Sequence, residues 1–181
     1  MRNFIVVIPA RLDSKRLPKK PLIIIEGLPM IIKTANQCSK VIDKKKIVIA
    51  TDSKKIKAVC DNFSYKCVLT SKKCLTGTDR VAEVAKKIKA KIYINLQGDE
   101  PIFNPNDIKK FLKVALSNQD KILNGFSEIK NITDYKNLSI PKLVFNNLGE
   151  LMYMSRSPIP GNKKNRGSLE HAIQLAVKHN N

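Results

Sequence analysis

Two stretches of this sequence carry opposite charges that could work on one substrate. The first, Pro9-Ala-Arg-Leu-Asp-Ser-Lys-Arg-Leu-Pro-Lys-Lys-Pro21, contains Arg11, Arg16 and Lys20. Arginine forks and a lysine point charge are donors suited to the oxygens of a triphosphate. Ala10 and Ser14 are small enough to let backbone amides approach those oxygens. The second stretch, Gln97-Gly-Asp-Glu-Pro101, contains Asp99. An aspartate at a strand tip is a hard oxygen ligand for Mg2+, which keeps several waters and bridges phosphates. A third group, Thr76-Gly-Thr-Asp-Arg80, joins a glycine that permits close backbone approach to an arginine that can fork onto a carboxylate. Taken singly, these are a solvated turn, a capping turn and a capped helix start. On neighbouring strand ends, the basic loop and the acidic turn favour phosphate chemistry. No Gly-x-x-x-x-Gly-Lys-Ser/Thr loop occurs, which excludes the P-loop solution. No Gly-x-Gly-x-x-Gly follows the first apolar run, which argues against a dinucleotide-binding fold.

The elements that must position these groups are legible as hydrophobic periods. Phe4–Ile8, Lys46–Ala50 and Ile92–Leu96 are β-branched runs of the kind buried on both faces of a sheet, and Cys67–Leu69 is a shorter one. Between them lie helical patterns. Pro29 can sit in a first turn before Met30, Ile31, Thr34, Ala35 and Cys38. Ser53 can cap a helix with Ile56, Val59 and Cys60 inward, and Thr78 or Asp79 one with Val81, Val84, Ala85 and Ile88 inward. Pro105–Leu116 also reads as a helix. Strand and helix alternate from residue 4 to about 117, so the fold class is α/β, with a mostly parallel sheet and helices on both faces. Ligands of such sheets bind beyond the carboxyl ends of the strands, where the basic and acidic stretches fall. Later, Ile122–Phe126 and Lys142–Phe145 are expected strands. Residues 146–149 form a turn into a returning strand at Leu151–Met154. Residues 161–167 read as a basic loop and Leu169–Val177 as a weak helix.

Composition bounds the rest. The chain has 181 residues, 43% hydrophobic and 27% charged, which fits one globular domain or slightly more. No apolar run approaches the ~20 residues of a membrane span. Lys and Arg number 34 against 15 Asp and Glu, for a net charge of +19. The lysines are dispersed, aromatics are 6% and Trp is absent, so a nucleic-acid partner is not expected. Cys38, Cys60, Cys67 and Cys74 lack zinc-knuckle or redox-dithiol spacing and read as free thiols of a cytoplasmic protein.

Ile8-Pro-Ala-Arg-Leu-Asp-Ser-Lys-Arg-Leu-Pro-Lys-Lys-Pro-Leu22 resembles the opening of the sugar-acid cytidylyltransferases. Ala50-Thr-Asp52, Thr76–Arg80, Asn95–Pro101 and Ser155-Arg-Ser-Pro-Ile-Pro160 are similar to later motifs of the 3-deoxy-manno-octulosonate (Kdo) members, in the same order. The resemblance implies a Rossmann-like nucleotidyltransferase fold. It implies transfer of CMP from CTP to the anomeric hydroxyl of Kdo with release of pyrophosphate, for lipopolysaccharide precursors. Carried over, Arg11, Ser14, Arg16 and Lys20 hold the CTP phosphates and Ala10 lies beside the nucleotide. Asp99 ligates Mg2+, and Arg80 and Gln97 face the sugar acid, with Arg80 reaching its carboxylate. Lys20, Arg16 and Asp99 then carry catalysis as charge neutralisation around a direct attack. A homodimer is also implied. The resemblance covers residues 4 to about 160, so residues 1–160 are expected to form the nucleotide-binding domain and 161–181 an atypical tail. Another sugar acid, amino-Kdo or sialic acid, and a CTP-binding remnant without turnover remain open.

Overall fold

The computed structural model describes residues 2–13 and 17–159. The expected loop at 161–167 and weak helix at Leu169–Val177 lie outside them. The chain divides into two compact units, Met1–Asn124 and Gly125–Asn181.

In the first unit, β1 (Arg2–Ala10) lies inside a parallel sheet. Its neighbours are β4 (Ile47–Thr51) on one side and β6 (Ala90–Asn95) on the other, with β5 (Lys66–Leu69) beyond β4. The register sets Val6 beside Ile47 and Phe4 beside Ile92. Every residue from Ile5 to Ile8 and from Ile47 to Ala50 is fully buried. A strand pairing on both edges with helices on both faces must be apolar throughout, and these β-branched runs meet that demand. Each such side chain contributes roughly 1.5–3 kcal/mol on burial.

The alternation of strand side chains splits the core into two layers. Val6, Ile8, Ile47 and Ile49 pack with Ile31, Ile32, Ala35 and Cys38 of α1 (Met30–Ser39), Ile56 and Cys60 of α2 (Lys54–Asn62), and Ile108 of α4 (Pro105–Ser117). Ile5, Val7, Val48 and Ala50 pack with Val84 of α3 (Gly77–Lys87), flanked by Val81 and Ile88. The expected parallel sheet with helices on both faces is thus present.

Local signals set the helix starts, with one correction. Ser53 caps α2 by accepting from the Ile56 amide at 3.3 Å. The cap of α3 is Thr76, not Thr78 or Asp79. Its hydroxyl accepts from the Asp79 amide at 3.2 Å, and the Asp79 carboxylate accepts from the Thr76 amide at 2.8 Å. Asp79 therefore completes a capping box from inside the helix. Before α1, Ile24–Ile25 (β2) and Leu28–Pro29 (β3) form a hairpin whose turn residues Glu26 and Gly27 both have positive φ.

In the second unit, Asn131 caps the short α5 (Ile132–Lys136) and precedes the antiparallel pair β7 (Lys142–Phe145) and β8 (Leu151–Ser155). The turn at 146–149 closes through the Gly149 amide to the Asn146 carbonyl, 2.9 Å. The strand expected at Ile122–Phe126 does not form. Ile122 is fully exposed and Phe126 stays largely so. The segment pairs with no strand among the described residues. Arg156 of the Ser-Arg-Ser-Pro-Ile-Pro motif donates to the carbonyls of Leu138 and Ser139 at 3.2 and 2.8 Å.

Candidate active site

The strand order β5-β4-β1-β6 means the chain first winds to one side of β1 and then crosses to the other. Crossovers diverge from the strand pair β1/β6, which leaves a crevice beyond its carboxyl ends. A cleft of about 260 Å3 lies there. It is lined from the end of β1 by Pro9 and Ala10, with Arg11 just after it, from the loop after β6 by Gln97, Gly98 and Asp99, from the loop before α3 by residues 74–76, and from α3 by Gly77 and Arg80.

Close backbone packing builds this cleft. A Cβ on Gly98 would lie 2.8 Å from the Pro9 carbonyl oxygen, and one on Gly77 would lie 3.1 Å from the Pro9 ring. Glycine at both positions lets the β6 loop and the α3 start close on the tip of β1. From below, α1 secures the β6 loop. The Thr34 hydroxyl lies 3.1 Å from the Gly98 carbonyl, and Gln37 Nε2 donates to the Phe103 carbonyl at 2.7 Å. Neither residue carried a sequence signal beyond helical periodicity; only the packing of α1 under the loop assigns them.

Lys20 begins a single 3-10 turn, Lys20–Leu22, that follows Lys19 in the left-handed region. The Lys19 amide donates back to the Leu12 carbonyl at 3.1 Å, which brings the two ends of the basic loop together. Lys20 Nζ then reaches Asp99 Oδ2 at 2.6 Å. Ala10, Arg11, Lys20, Arg80, Gln97 and Asp99 all border the cleft. Ser14 and Arg16 lie outside the described residues.

Arg80, expected from the resemblance to reach a ligand carboxylate, already holds one. Its side chain is 3% exposed, and Nη2 donates to Asp52 Oδ2 at 2.7 Å. Nη1 donates to the Thr70 hydroxyl at 2.6 Å and the Ser71 carbonyl at 3.2 Å. Asp52, at the tip of β4, is thereby drawn into the support of the cleft.

Among the described residues, no group of three or more His, Cys, Asp or Glu side chains could hold a metal ion. Asp99 suits Mg2+ in another way. That ion is held by one or two carboxylates and completes its shell with water and substrate phosphates. The ammonium of Lys20 on Asp99 shows the carboxylate taking a cation in the cleft. The one thiol on the cleft is poorly set up as a nucleophile. Cys74 donates to Glu83 Oε1 at 3.2 Å, and burial, then the Glu83 carboxylate, push its pKa up.

The cytidylyltransferase family model matches residues 5–180. The 3-deoxy-manno-octulosonate cytidylyltransferase of Polynucleobacter necessarius subsp. necessarius is 40% identical over 162 residues, 87% of this chain and 63% of that protein. The enzyme of the same name from Neisseria gonorrhoeae is 37% identical over 163 residues, 88% of this chain and 64% of the relative. The chain thus spans less than two thirds of the length of these curated relatives. Among solved structures, CMP:2-keto-3-deoxy-manno-octonic acid synthetase complexed with CTP superposes with a TM-score of 0.77 at 34% identity, covering 90% of this chain and 69% of the other. With the motifs, the sheet order and the cleft in agreement, this chain belongs to the cytidylyltransferase family.

Proposed function

We propose that this chain binds CTP in the β1/β6 cleft and serves the transfer of CMP to the anomeric hydroxyl of Kdo, with release of pyrophosphate. The observation that carries the reading is the meeting of Lys20 and Asp99 at 2.6 Å on the rim of the crevice. A phosphate donor and a carboxylate suited to a divalent cation stand where the α- and β-phosphates of a nucleotide would need both. The names of the relatives and the CTP complex of the related structure support the choice of substrates.

In this reading Arg11 and Lys20 hold the triphosphate, with Ser14 and Arg16 from the same loop, and Ala10 leaves room beside the nucleotide. Asp99 would hold Mg2+, which would supply charge neutralisation at the phosphates. Gln97 faces the sugar acid. Arg80 borders the same space, but its fork is engaged by Asp52. The anomeric hydroxyl attacks the α-phosphorus and gives its proton to water. The bond from that phosphorus to the bridging oxygen breaks, and pyrophosphate departs. No covalent enzyme intermediate is needed, in keeping with the engagement of Cys74 by Glu83. The protein contributes positioning and charge complementarity to the transition state. Transfer for lipopolysaccharide precursors, a cytoplasmic setting and a homodimer belong to the same reading. Four free cysteines are compatible with that setting, and no helix of the described residues is long and apolar enough to cross a membrane.

The test is pyrophosphate release from CTP, Mg2+ and Kdo, beside Asp99→Ala. Release that requires Kdo and disappears in the variant establishes the activity. CTP binding by calorimetry without release identifies a nucleotide-binding chain without turnover, and absence of both sinks the proposal. Light scattering gives the oligomeric state.

A further inference from the structure

One wall of the cleft has no sheet to hold it. Cys74, Leu75, Thr76 and Gly77 line the space, but Cys74 to Thr76 belong to the loop between β5 and α3. Leu75 is 84% exposed, so its burial does not anchor that loop. Polar contacts from α3 do. Arg80 and Glu83, three residues apart, share one face of the helix. Arg80 Nη1 donates to the Ser71 carbonyl at 3.2 Å, and Glu83 Oε2 accepts from the Ser71 amide at 2.9 Å. One residue of the loop is thus held by both its N–H and its C=O. The second carboxylate oxygen of Glu83, Oε1, accepts from the Cys74 thiol at 3.2 Å, directly at the wall. The capping box at Thr76 fastens the far end.

Hydrogen bonds from a backbone amide to an ionised carboxylate are charge-assisted and about twice as strong as neutral ones. The Ser71 amide, then the Cys74 thiol, hold the Glu83 carboxyl below its ordinary range, so it is ionised at neutral pH. Arg80 has a second anchor in Asp52. Glu83 provides the side-chain contact to Cys74, at the end of the wall that the Thr76 capping box does not reach.

We propose that Glu83 is a positioning residue for the nucleotide cleft, setting the Cys74–Gly77 wall by holding the Ser71 amide and the Cys74 thiol. This rests on the reading of the cleft as a CTP site. Glu83→Ala removes both contacts. Glu83→Gln keeps a carbonyl acceptor for the Ser71 amide. Ala82→Gly, on the exposed side of the same helix, weakens α3 without touching the loop.

The experiment is titration calorimetry of CTP with Mg2+ on the full chain and these three variants, with melting temperatures recorded. Glu83→Ala is expected to weaken CTP about tenfold, the scale of one lost charged hydrogen bond. Glu83→Gln, which keeps a neutral acceptor for the Ser71 amide but loses the charge and the acceptor for the Cys74 thiol, should fall between the parent chain and Glu83→Ala. Ala82→Gly should melt lower yet bind CTP normally, which a merely stabilising role for Glu83 would not separate. Unchanged CTP affinity in Glu83→Ala overturns the proposal, as does an equal loss in Ala82→Gly. If the parent chain binds no CTP, the nucleotide reading itself fails, and Ser71 amide exchange measured without ligand decides the clamp. Faster exchange at Ser71 in Glu83→Ala, with β1 unchanged, supports it, and unchanged exchange at Ser71 overturns it.

Discussion

Lys20 Nζ and Asp99 Oδ2 lie 2.6 Å apart although 79 residues separate them in the chain. The pair closes the gap between the basic loop after β1 and the acidic turn after β6. Its side chains are 34% and 48% exposed, so water screens the attraction. An exposed pair of this kind adds only ~0–1 kcal/mol to stability. Its worth is functional, because each partner stands ready to exchange the other for a ligand.

Asp99→Asn should therefore leave the melting temperature almost unchanged while removing Mg2+-dependent pyrophosphate release. Lys20→Met should weaken CTP by roughly tenfold or more, since a charged hydrogen bond to phosphate contributes about 1.5–3 kcal/mol. Calorimetry beside a thermal melt separates the two effects. A large loss of stability in Asp99→Asn would show that the pair is structural instead.

Gly98→Ala should disturb the cleft from its floor. The added methyl group would meet the Pro9 carbonyl at 2.8 Å and Ile31 Cδ1 at 3.2 Å. A backbone oxygen in the central strand cannot step aside cheaply, so destabilisation of roughly 1–3 kcal/mol is expected. Gly77→Ala meets only the Pro9 ring, at 3.1 Å, and should cost less. Denaturant melts of both variants, with CTP titrations, check the order; equal melts would contradict it.

Ser64→Gly should stabilise the chain. Ser64 follows α2 at φ 55°, its amide donates to the Asp61 carbonyl at 2.9 Å, and the Tyr65 amide donates to the Cys60 carbonyl at 2.9 Å. This is a Schellman ending, whose left-handed position favours glycine. Relief of the left-handed cost should exceed the entropy glycine adds to the unfolded chain, for a gain of about 0.5–1 kcal/mol. A lower melting temperature than the parent would refute it.

Acid should loosen the cap of α3. The backbone and hydroxyl of Thr76 hold the Asp79 carboxyl below its ordinary value. A carboxyl lowered in the folded state contributes stability above its unfolded pKa, near 4, and loses it as pH falls through the folded value. Asp79→Asn should therefore melt below the parent at pH 6, and the two curves should draw together as pH falls below about 4 and the parent loses the same contact. Parallel curves across that range would exclude the linkage.

The buried strands were legible because a strand covered on both faces has no polar alternative. Phe4–Ile8, Lys46–Ala50 and Ile92–Leu96 fall within two residues of the bounds of β1, β4 and β6. The helix cap at Ser53 was equally local. Ile122–Phe126 shows the limit, since an apolar run becomes a strand only where a partner strand meets it. The cap of α3 shows a smaller one. Thr76, Thr78 and Asp79 can all cap, and the choice falls to the residue where the backbone leaves the helix, with Asp79 turning back as its partner.

For the site, the sequence by itself determined the ingredients: cations at Arg11, Arg16 and Lys20, a carboxylate at Asp99, and glycines at 77 and 98. Strand periodicity put them at strand ends, because side-chain chemistry and local propensity act over a few residues. Only the tertiary structure decided which of them meet. Sheet order brought Lys20 to Asp99, and the crossing of α3 gave Arg80 to Asp52 and Glu83 to Ser71. Those partnerships join residues from 12 to 79 positions apart, at distances set when the two core layers close on the sheet.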